Sequence, residues 1–380
     1  MRSLLGRELY RFACQRWSTP RHATAPSTQR LFASFPSSCS LRSFASGAAS
    51  WETIVGLEMH VQVKSNTKLF SAAPTSAGEA PNTHVALFDA AHPGTLPVLN
   101  WACVEAAART GIALGGVVNR MSRFDRKQYF YADLPHGYQI TQQEWPIVTG
   151  GSLPVNIENQ ETIHVGIQRI QLEMDTGKSI HDGHPTCTLL DLNRAGSALM
   201  EVVTEPDLRS GQQAAAFVRT FQQLLRHIST STANLEDGSL RVDVNVSARR
   251  VSDGLQSERC EIKNLNSVRS ITRAIEFEMQ RHQEALESGT KMASETRTFD
   301  VSSGRTVLLR KKESARQYRF MPEPDLPPLV IPLSVLAELE RSTPELPEVT
   351  AARLMHKHAL NPKQVETLMS MPGAVAFFTA

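Results

Sequence analysis

The sequence predicts an α+β protein built on an antiparallel sheet, and three observations carry that prediction. Five stretches alternate apolar with polar residues at the period of a strand: Gly56–Val63, Ile170–Asp175, Leu190–Asn193, Leu240–Val246 and Glu261–Asn264. Runs with helical spacing lie among them in no regular βαβ order, which argues against a doubly wound sheet. The polar side of the alternations is repeatedly acid, His or Asn, whereas a solvated face usually mixes Thr, Ser, Lys and Gln.

The elements follow in order. Residues 51–64 read as a strand with Glu58, His60 and Gln62 on one face and Leu57, Met59, Val61 and Val63 on the other. Ala102–Leu114 reads as a helix through its Ala-rich run. Phe124–Gln143 is too irregular for either period. Residues 163–205 read as successive strands, broken at Asp175-Thr176-Gly177 and His181–Pro185. Gln212–Ser229 is helical, with Ala216, Phe217, Phe221, Leu224 and Leu225 at helix spacing. The strand region 240–263 follows, then a charged helix over Val268–Ser288. Beyond Pro322–Pro328 the character changes to short helices at Ser334–Glu340, Pro347–His358 and Pro362–Met369.

Net charge of +2 conceals two unlike parts. Residues 1–50 hold seven arginines, no lysine and the single acid Glu8, so the remainder carries 33 basic against 37 acidic side chains. An Arg- and Ser-rich, acid-poor leader is the composition of a mitochondrial transit peptide, and it is set apart from the fold. The body is mildly acidic, so any nucleic-acid contact must be a local patch. No apolar run approaches the ~20 residues of a membrane span. Cys103, Cys187 and Cys260 have no CxxC spacing and an odd count, so neither a disulfide framework nor a zinc knuckle is indicated.

Several chemistries are excluded by motif. Thr176-Gly177-Lys178-Ser179 imitates the end of a P-loop, but Leu172 stands where its first glycine belongs. There is no GxGxxG, no HExxH and no Ser-Lys amidase pattern. His181 and His184 share a turn, which is weak evidence for a metal. Cys103 in its Ala-rich helix reads as core. What remains is the acid wall. Carboxylates facing one way repel one another unless cations neutralise them, and Glu58, His60, Glu173, Asp175 and Glu201 suit a hard divalent metal. Asp191, Asn193 and Arg194 suit orientation of a polar substrate, and Lys263, Asn264 and Asn266 suit phosphate. Arg310, Lys311, Lys312, Arg316 and Arg319, interleaved with Tyr318 and Phe320, form the strongest local basic patch.

These segments resemble the GatB family, the B subunits of tRNA-dependent glutamyl/aspartyl amidotransferases. The matching stretches are GLEMHVQ (56–62), PGTLPVLN (93–100), FDRKQYFYADLPHGYQITQ (124–142), LEMDTGKS (172–179), DLNRAGSALMEVVTEPDLRS (191–210), GSLRVDVNVS (238–247), EIKNLNSVRS (261–270) and YRFMPEPDLPPL (318–329). The resemblance implies a catalytic cradle domain over 51–332, similar to the glutamine synthetase fold, followed by the start of a small helical domain over 333–380. It implies Mg²⁺ and ATP as cofactors, phosphorylation of the glutamate carboxylate on Glu-tRNA(Gln), and displacement of phosphate by ammonia. Ammonia would come from an amidase A subunit in a heterotrimer with a small C-type subunit, in the mitochondrial matrix.

Position by position, the resemblance implies catalytic roles for Glu58, His60, Glu173 and Glu201. Glu58, His60, Glu201 and Glu173 would carry the metal. Asp175, Lys178, Asp191, Asn193, Arg194, Asp243, Asn245, Lys263 and Asn264 would contact nucleotide or substrate, and Lys127, Tyr129 and Tyr138 would shape the pocket loop or channel mouth. Two departures stand out. Many members carry consecutive acids where this chain has Glu173-Met174-Asp175, and alternation turns Met174 toward the core. Many also continue into a full helical domain and a tail that grips tRNA, which are expected to be largely absent here. Two other readings stay open: an ATP-dependent ligase of a small free carboxylic acid, and a scaffold for the amidase.

Overall fold

The computed structural model describes residues 50–75, 78–157, 161–181, 187–311, 318–371 and 373–379. Residues 1–49 of the leader, His184, Lys312, Arg316 and the side chain of Lys311 lie outside the described residues.

Ten strands make the main sheet: β1 (Trp51–Gln62), β2 (Val117–Val118), β3 (Val148–Thr149), β4 (Ser152–Val155), β5 (Ile163–Met174), β6 (Ala198–Thr204), β7 (Leu240–Arg250), β8 (Cys260–Leu265), β9 (Glu295–Asp300) and β10 (Arg305–Lys311). Their order is β10-β9-β8-β7-β1-β6-β5-β3-β2, with β4 pairing β5 outside that row. The strand with the strongest alternation, β1, is thus central, antiparallel to β6 on one side and β7 on the other.

The expected antiparallel sheet is in fact mixed, because β8 and β9 run parallel. The cause is α3 (Val268–Glu287), a helix long enough to carry the chain back across the sheet before β9 begins. This crossover is held by a buried carboxylate. Glu278 of α3, fully buried, accepts hydrogen bonds from Arg281 and from Thr306 of β10, and lies 3.2 Å from Arg297 of β9 and 3.1 Å from His282. Burial alone would raise its pKa, yet His282, Arg281 and Thr306 hold it down at about 2.

Helices cover the apolar side. On β1, Val55, Leu57, Met59 and Val61 are fully buried while Glu58, His60 and Gln62 are only partly so. Each such core side chain contributes about 1.5–3 kcal/mol. They join one cluster with Cys103, Val104 and Ala107 of α1 (Trp101–Ala113), Phe217 and Phe221 of α2 (Gly211–His227), and Ile271 and Ile275 of α3. The three helices start where the sequence supplies a cap: Asn100, Ser210 and Ser267 each accept a backbone N–H of the first turn. Cys103 is core, as expected, and burial pushes its thiol up to about 11.

Phe124–Gln143 is not wholly irregular. Asp125–Gln128 and Tyr138–Thr141 pair as a hairpin, and Met321–Pro322 adds a third strand. The hairpin escaped a periodicity reading because its strands are four residues long and its tip carries Tyr, Phe and Pro. Three short helices follow as predicted, α4 (Leu333–Ser342), α5 (Pro347–His358) and α6 (Pro362–Ser370), and a fourth, α7 (Ala374–Thr379), is added to them. Val335 and Leu336 of α4 pack on the main core. Among the described residues no helix is long and apolar enough to cross a membrane.

Candidate active site

The polar face of the sheet centre collects side chains from several strands. Register places His60 opposite Glu201 on β6 and Arg241 on β7, and Glu58 opposite Asp243. One strand further, Glu201 stands opposite Gln171 of β5, and Leu199 opposite Glu173. On the other side Asn245 faces Glu261 of β8. Strand alternation thus carries one polar face across residues far apart in sequence. Met174 is buried in the core, as its place between Glu173 and Asp175 predicts.

The acids fall into two classes. Asp175, Asp243 and Glu261 are neutralised by the protein itself. Arg241 donates to Asp175 at 2.9 Å, with Arg194 at 3.5 Å from the same oxygen. Lys263 pairs with Asp243 and lies 3.2 Å from Glu261. Glu58, Glu173 and Glu201 have no Lys or Arg at ion-pair distance among the described residues. Their common neighbour is the His60 imidazole, whose Nε2 lies 3.9 Å from Glu58, 3.5 Å from Glu173 and 4.0 Å from Glu201.

Electrostatics follow from that deficit. Burial, together with the charges of Glu201 and Asp243, pushes Glu58 up to about 7. Burial and Glu173 push Glu201 up to about 8, and burial also raises Glu173. Burial, with Arg241, Lys263 and Lys127 nearby, drives His60 down to about 3, so the ring is neutral and its lone pair free to ligate. Burial works against the Lys127 ammonium, yet Glu173 and Glu201 hold its pKa above the usual lysine value.

A cation would relieve this arrangement. Ligand atoms of Glu58, His60 and Asp243 lie within 4.8 Å of one another, and so do those of His60, Glu173 and Glu201. One imidazole among carboxylates suits a hard divalent ion. The geometry therefore splits the predicted set at His60, and the Asp243 carboxylate beside Glu58 is the one already matched, by Lys263. A third group, Cys260, Glu278 and His282, also lies within that distance. There the carboxylate is already matched by Arg281 and Arg297, so no ion is needed.

The other predicted residues lie around this wall or make contacts of their own. Asp191 and Asn193 knit the 80–84 loop: Asp191 accepts from the backbone of Asn82, and Asn193 accepts from His84 N while donating to the Ala80 carbonyl. Arg194 donates to the carbonyls of Thr176 and Gly177 besides its pairing with Asp175. Lys178 is exposed on the hairpin of Lys178–Ile180 with Leu189–Asp191. Asn245 lies on the polar face, half-buried. Asn264, exposed with φ 62°, sits where the β7–β8 register shifts, a bulge that re-aims the preceding Lys263. Tyr129 contacts Tyr131 and Asp133, and burial raises its hydroxyl to about 12. Tyr138 lies under the Arg126 guanidinium, 4.2 Å away. His181 lies 3.3 Å from Thr188. Arg319 is exposed, as is Arg310.

Sequence reasoning missed four supports. Gln171 donates to both Glu201 and Thr141, and Thr141 donates to Glu173 at 3.3 Å. Gln171 lies two residues before Glu173, so the alternation already marked it. A fully buried Lys68 pairs with Asp89 at 2.9 Å and reaches the Leu192 carbonyl. Arg126 clamps Glu323 through two hydrogen bonds. Neither the lysine nor the clamp carries a local sequence signal, since each joins residues distant along the chain.

The sequence model of the GatB/GatE catalytic domain matches residues 53–337. Among curated proteins, the chain is 51% identical to the chloroplastic/mitochondrial B-2 subunit of glutamyl-tRNA(Gln) amidotransferase from Micromonas commoda, over 87% of this chain and 62% of that protein. It is 48% identical to the B subunit of aspartyl/glutamyl-tRNA(Asn/Gln) amidotransferase from Zymomonas mobilis, over 87% of this chain and 67% of the relative. The corresponding protein of Gluconobacter oxydans is 50% identical over 86% and 67%. The chain thus spans about two thirds or less of the length of these relatives.

Proposed function

Because the chain belongs to the GatB/GatE catalytic domain family, we propose that it acts as the B-type subunit of a tRNA-dependent amidotransferase. In this reading it uses ATP to phosphorylate the side-chain carboxylate of glutamate on Glu-tRNA(Gln), after which ammonia displaces phosphate to give Gln-tRNA(Gln). The observation that carries it is the unneutralised set Glu58, Glu173 and Glu201 around a neutral His60, beside acids that the protein does neutralise.

A carboxylate is a poor electrophile until one oxygen becomes part of a phosphate leaving group. Transfer joins that oxygen to the γ-phosphorus and releases ADP; attack by ammonia then forms the C–N bond and expels phosphate. Glu58, His60, Glu173 and Glu201 would hold Mg²⁺, which when bound supplies positive charge to the triphosphate. Lys127, Lys263 and Arg241 border the same face and orient the phosphates. Arg241 and Arg194 fix Asp175, which bounds the site at the end of β5. We read the sheet with this wall as a cradle of the glutamine synthetase kind.

The lack of an amidase motif in the sequence fits ammonia delivery by an A subunit, with a small C-type subunit completing the assembly. The Arg-rich leader and the organellar name of the Micromonas relative support the mitochondrial matrix. The test is to supply the assembled complex with ATP, glutamine and either Glu-tRNA(Gln) or free glutamate. Gln-tRNA(Gln) formation with ATP turnover dependent on charged tRNA is expected. Phosphate release with free glutamate alone would favour the small-acid ligase, and partner binding without ATP turnover would favour the scaffold.

A further inference from the structure

Lys127 reaches the acid wall from the small sheet beside it, and its other side is occupied. The ring of Tyr318 lies 5.0 Å from the Lys127 ammonium, within cation–π range. The ammonium makes no hydrogen bond or ion pair among the described residues, although Glu173 and Glu201 act on it electrostatically. It is therefore oriented toward the wall without being consumed by a carboxylate. Resting on the function proposed above, we infer that Tyr318 is a positioning residue, whose ring face holds Lys127 where the transferred phosphoryl group arrives.

The fastening of Tyr318 makes this separable from a merely structural role. Its carbonyl accepts from Gln128 N at 3.0 Å, and Met321 and Pro322 pair with Arg126 and Asp125. Glu323, buried, is clamped by Arg126 at 2.7 and 2.8 Å, and its backbone N–H donates to the Phe124 carbonyl. These bonds hold the segment in place with no contribution from the Tyr318 side chain. On the facing strand, Gln139 stands opposite Lys127 and donates to the Met174 carbonyl, so the small sheet is itself tied to β5. An ammonium on a flexible stem has several rotamers open to it, and a ring face selects the one aimed at the wall.

Tyr318→Leu, Tyr318→Phe, Lys127→Met and the Lys127→Met/Tyr318→Leu pair test this in the assembled complex. Tyr318→Phe keeps the ring and should stay within about twofold of the parent, while Tyr318→Leu should lower kcat roughly tenfold with little change in KM for MgATP. The double variant should be no worse than Lys127→Met alone. Equal activity of Tyr318→Leu and the parent, or additive losses in the double variant, would overturn the inference. A second measurement needs no catalysis: acylation of Lys127 by a small amine-reactive ester, followed by mass spectrometry across pH. Tyr318→Leu should change the rate and midpoint of Lys127 labelling and Tyr318→Phe should not; identical profiles in all three would contradict the positioning role. A parent complex that shows no ATP-dependent transfer would overturn the function proposed above and leave the labelling comparison to decide this inference.

Discussion

Glu201 and His60 face each other across the β6–β1 pair, with the imidazole Nε2 4.0 Å from a carboxylate oxygen that also accepts from Gln171. The ring is neutral because burial drives its pKa to about 3, and the acid holds its proton up to about 8. At neutral pH without a cation, this pair stores a proton rather than a charge.

Binding of Mg²⁺ should therefore expel protons. Deprotonated Glu58 and Glu201 are the ligating forms, and their pKa values of about 7 and about 8 set the window. Affinity should tighten as pH rises through that range, by up to about tenfold per pH unit for each proton released, and level off above it. Calorimetric titration in buffers of different ionisation enthalpy measures the proton count directly. A pH-independent affinity with no proton release would contradict the assignment.

Stability of the metal-free protein should show the same group with a defined sign. Glu201 has a folded pKa of about 8 against an ordinary 4.5, so the folded state binds more protons between those values. Its contribution is fully present below 4.5 and is lost as pH rises toward about 8. Glu201→Gln, which keeps the donor–acceptor shape without the charge, should flatten this slope in urea titrations and raise metal-free stability at pH 8. An unchanged slope would show that the carboxyl is not held protonated.

Glu278 should behave in the opposite sense. Its folded pKa of about 2 lies below 4.5, so its stabilisation is present above 4.5 and is lost as pH falls toward about 2. Glu278→Gln leaves Arg281 and Arg297 with Glu295 as their one remaining carboxylate and should cost about 3 kcal/mol, the lower end for breaking a buried ion pair from one side. Denaturant unfolding at pH 7 measures the loss, and a cost below about 1 kcal/mol, the surface-pair value, would refute it.

Lys68 should matter through the turn it fastens. Its pair with Asp89 packs on Gly196, where a Cβ would stand 2.7 Å from Asp89 Oδ1 and where φ is +81°, so only glycine fits. Gly196 N donates to the Asp175 carbonyl, linking that turn to the wall. Lys68→Met leaves Asp89 buried without its cation, and should cost about 3–5 kcal/mol of stability and shift the unfolding midpoint of the full chain. A midpoint within error of the parent would show that the pair carries no structural weight.

Much of this was legible in the sequence because alternation is a local signal. Glu58, His60, Glu173 and Glu201 share one face since each alternates with residues that are buried, and Met174 went to the core on the same logic. Lateral order was not legible. That Asp243 rather than Glu201 completes a three-ligand group with Glu58 depends on β7 lying beside β1, which no local pattern states. The crowding of polar residues marks Asp191 and Asn193 in the sequence, but not that they also hold backbone groups of a loop about 110 residues away in the chain. The parallel β8–β9 pair follows from the length of α3 and a buried charge network, neither of which periodicity records.

In the function proposed above, the acid wall transfers the γ-phosphoryl of ATP to a tRNA-borne carboxylate, with Glu58 among the groups that make this possible. The most direct measurement uses γ-labelled ATP with the assembled complex and Glu-tRNA(Gln), without an ammonia source, comparing the parent chain with Glu58→Gln. The parent should place label on the aminoacyl-tRNA, and Glu58→Gln should lose that transfer by at least about a hundredfold while assembling normally, as expected when a group acting in the transition state is removed. Near-normal labelling by Glu58→Gln would show that Glu58 takes no part in the transfer.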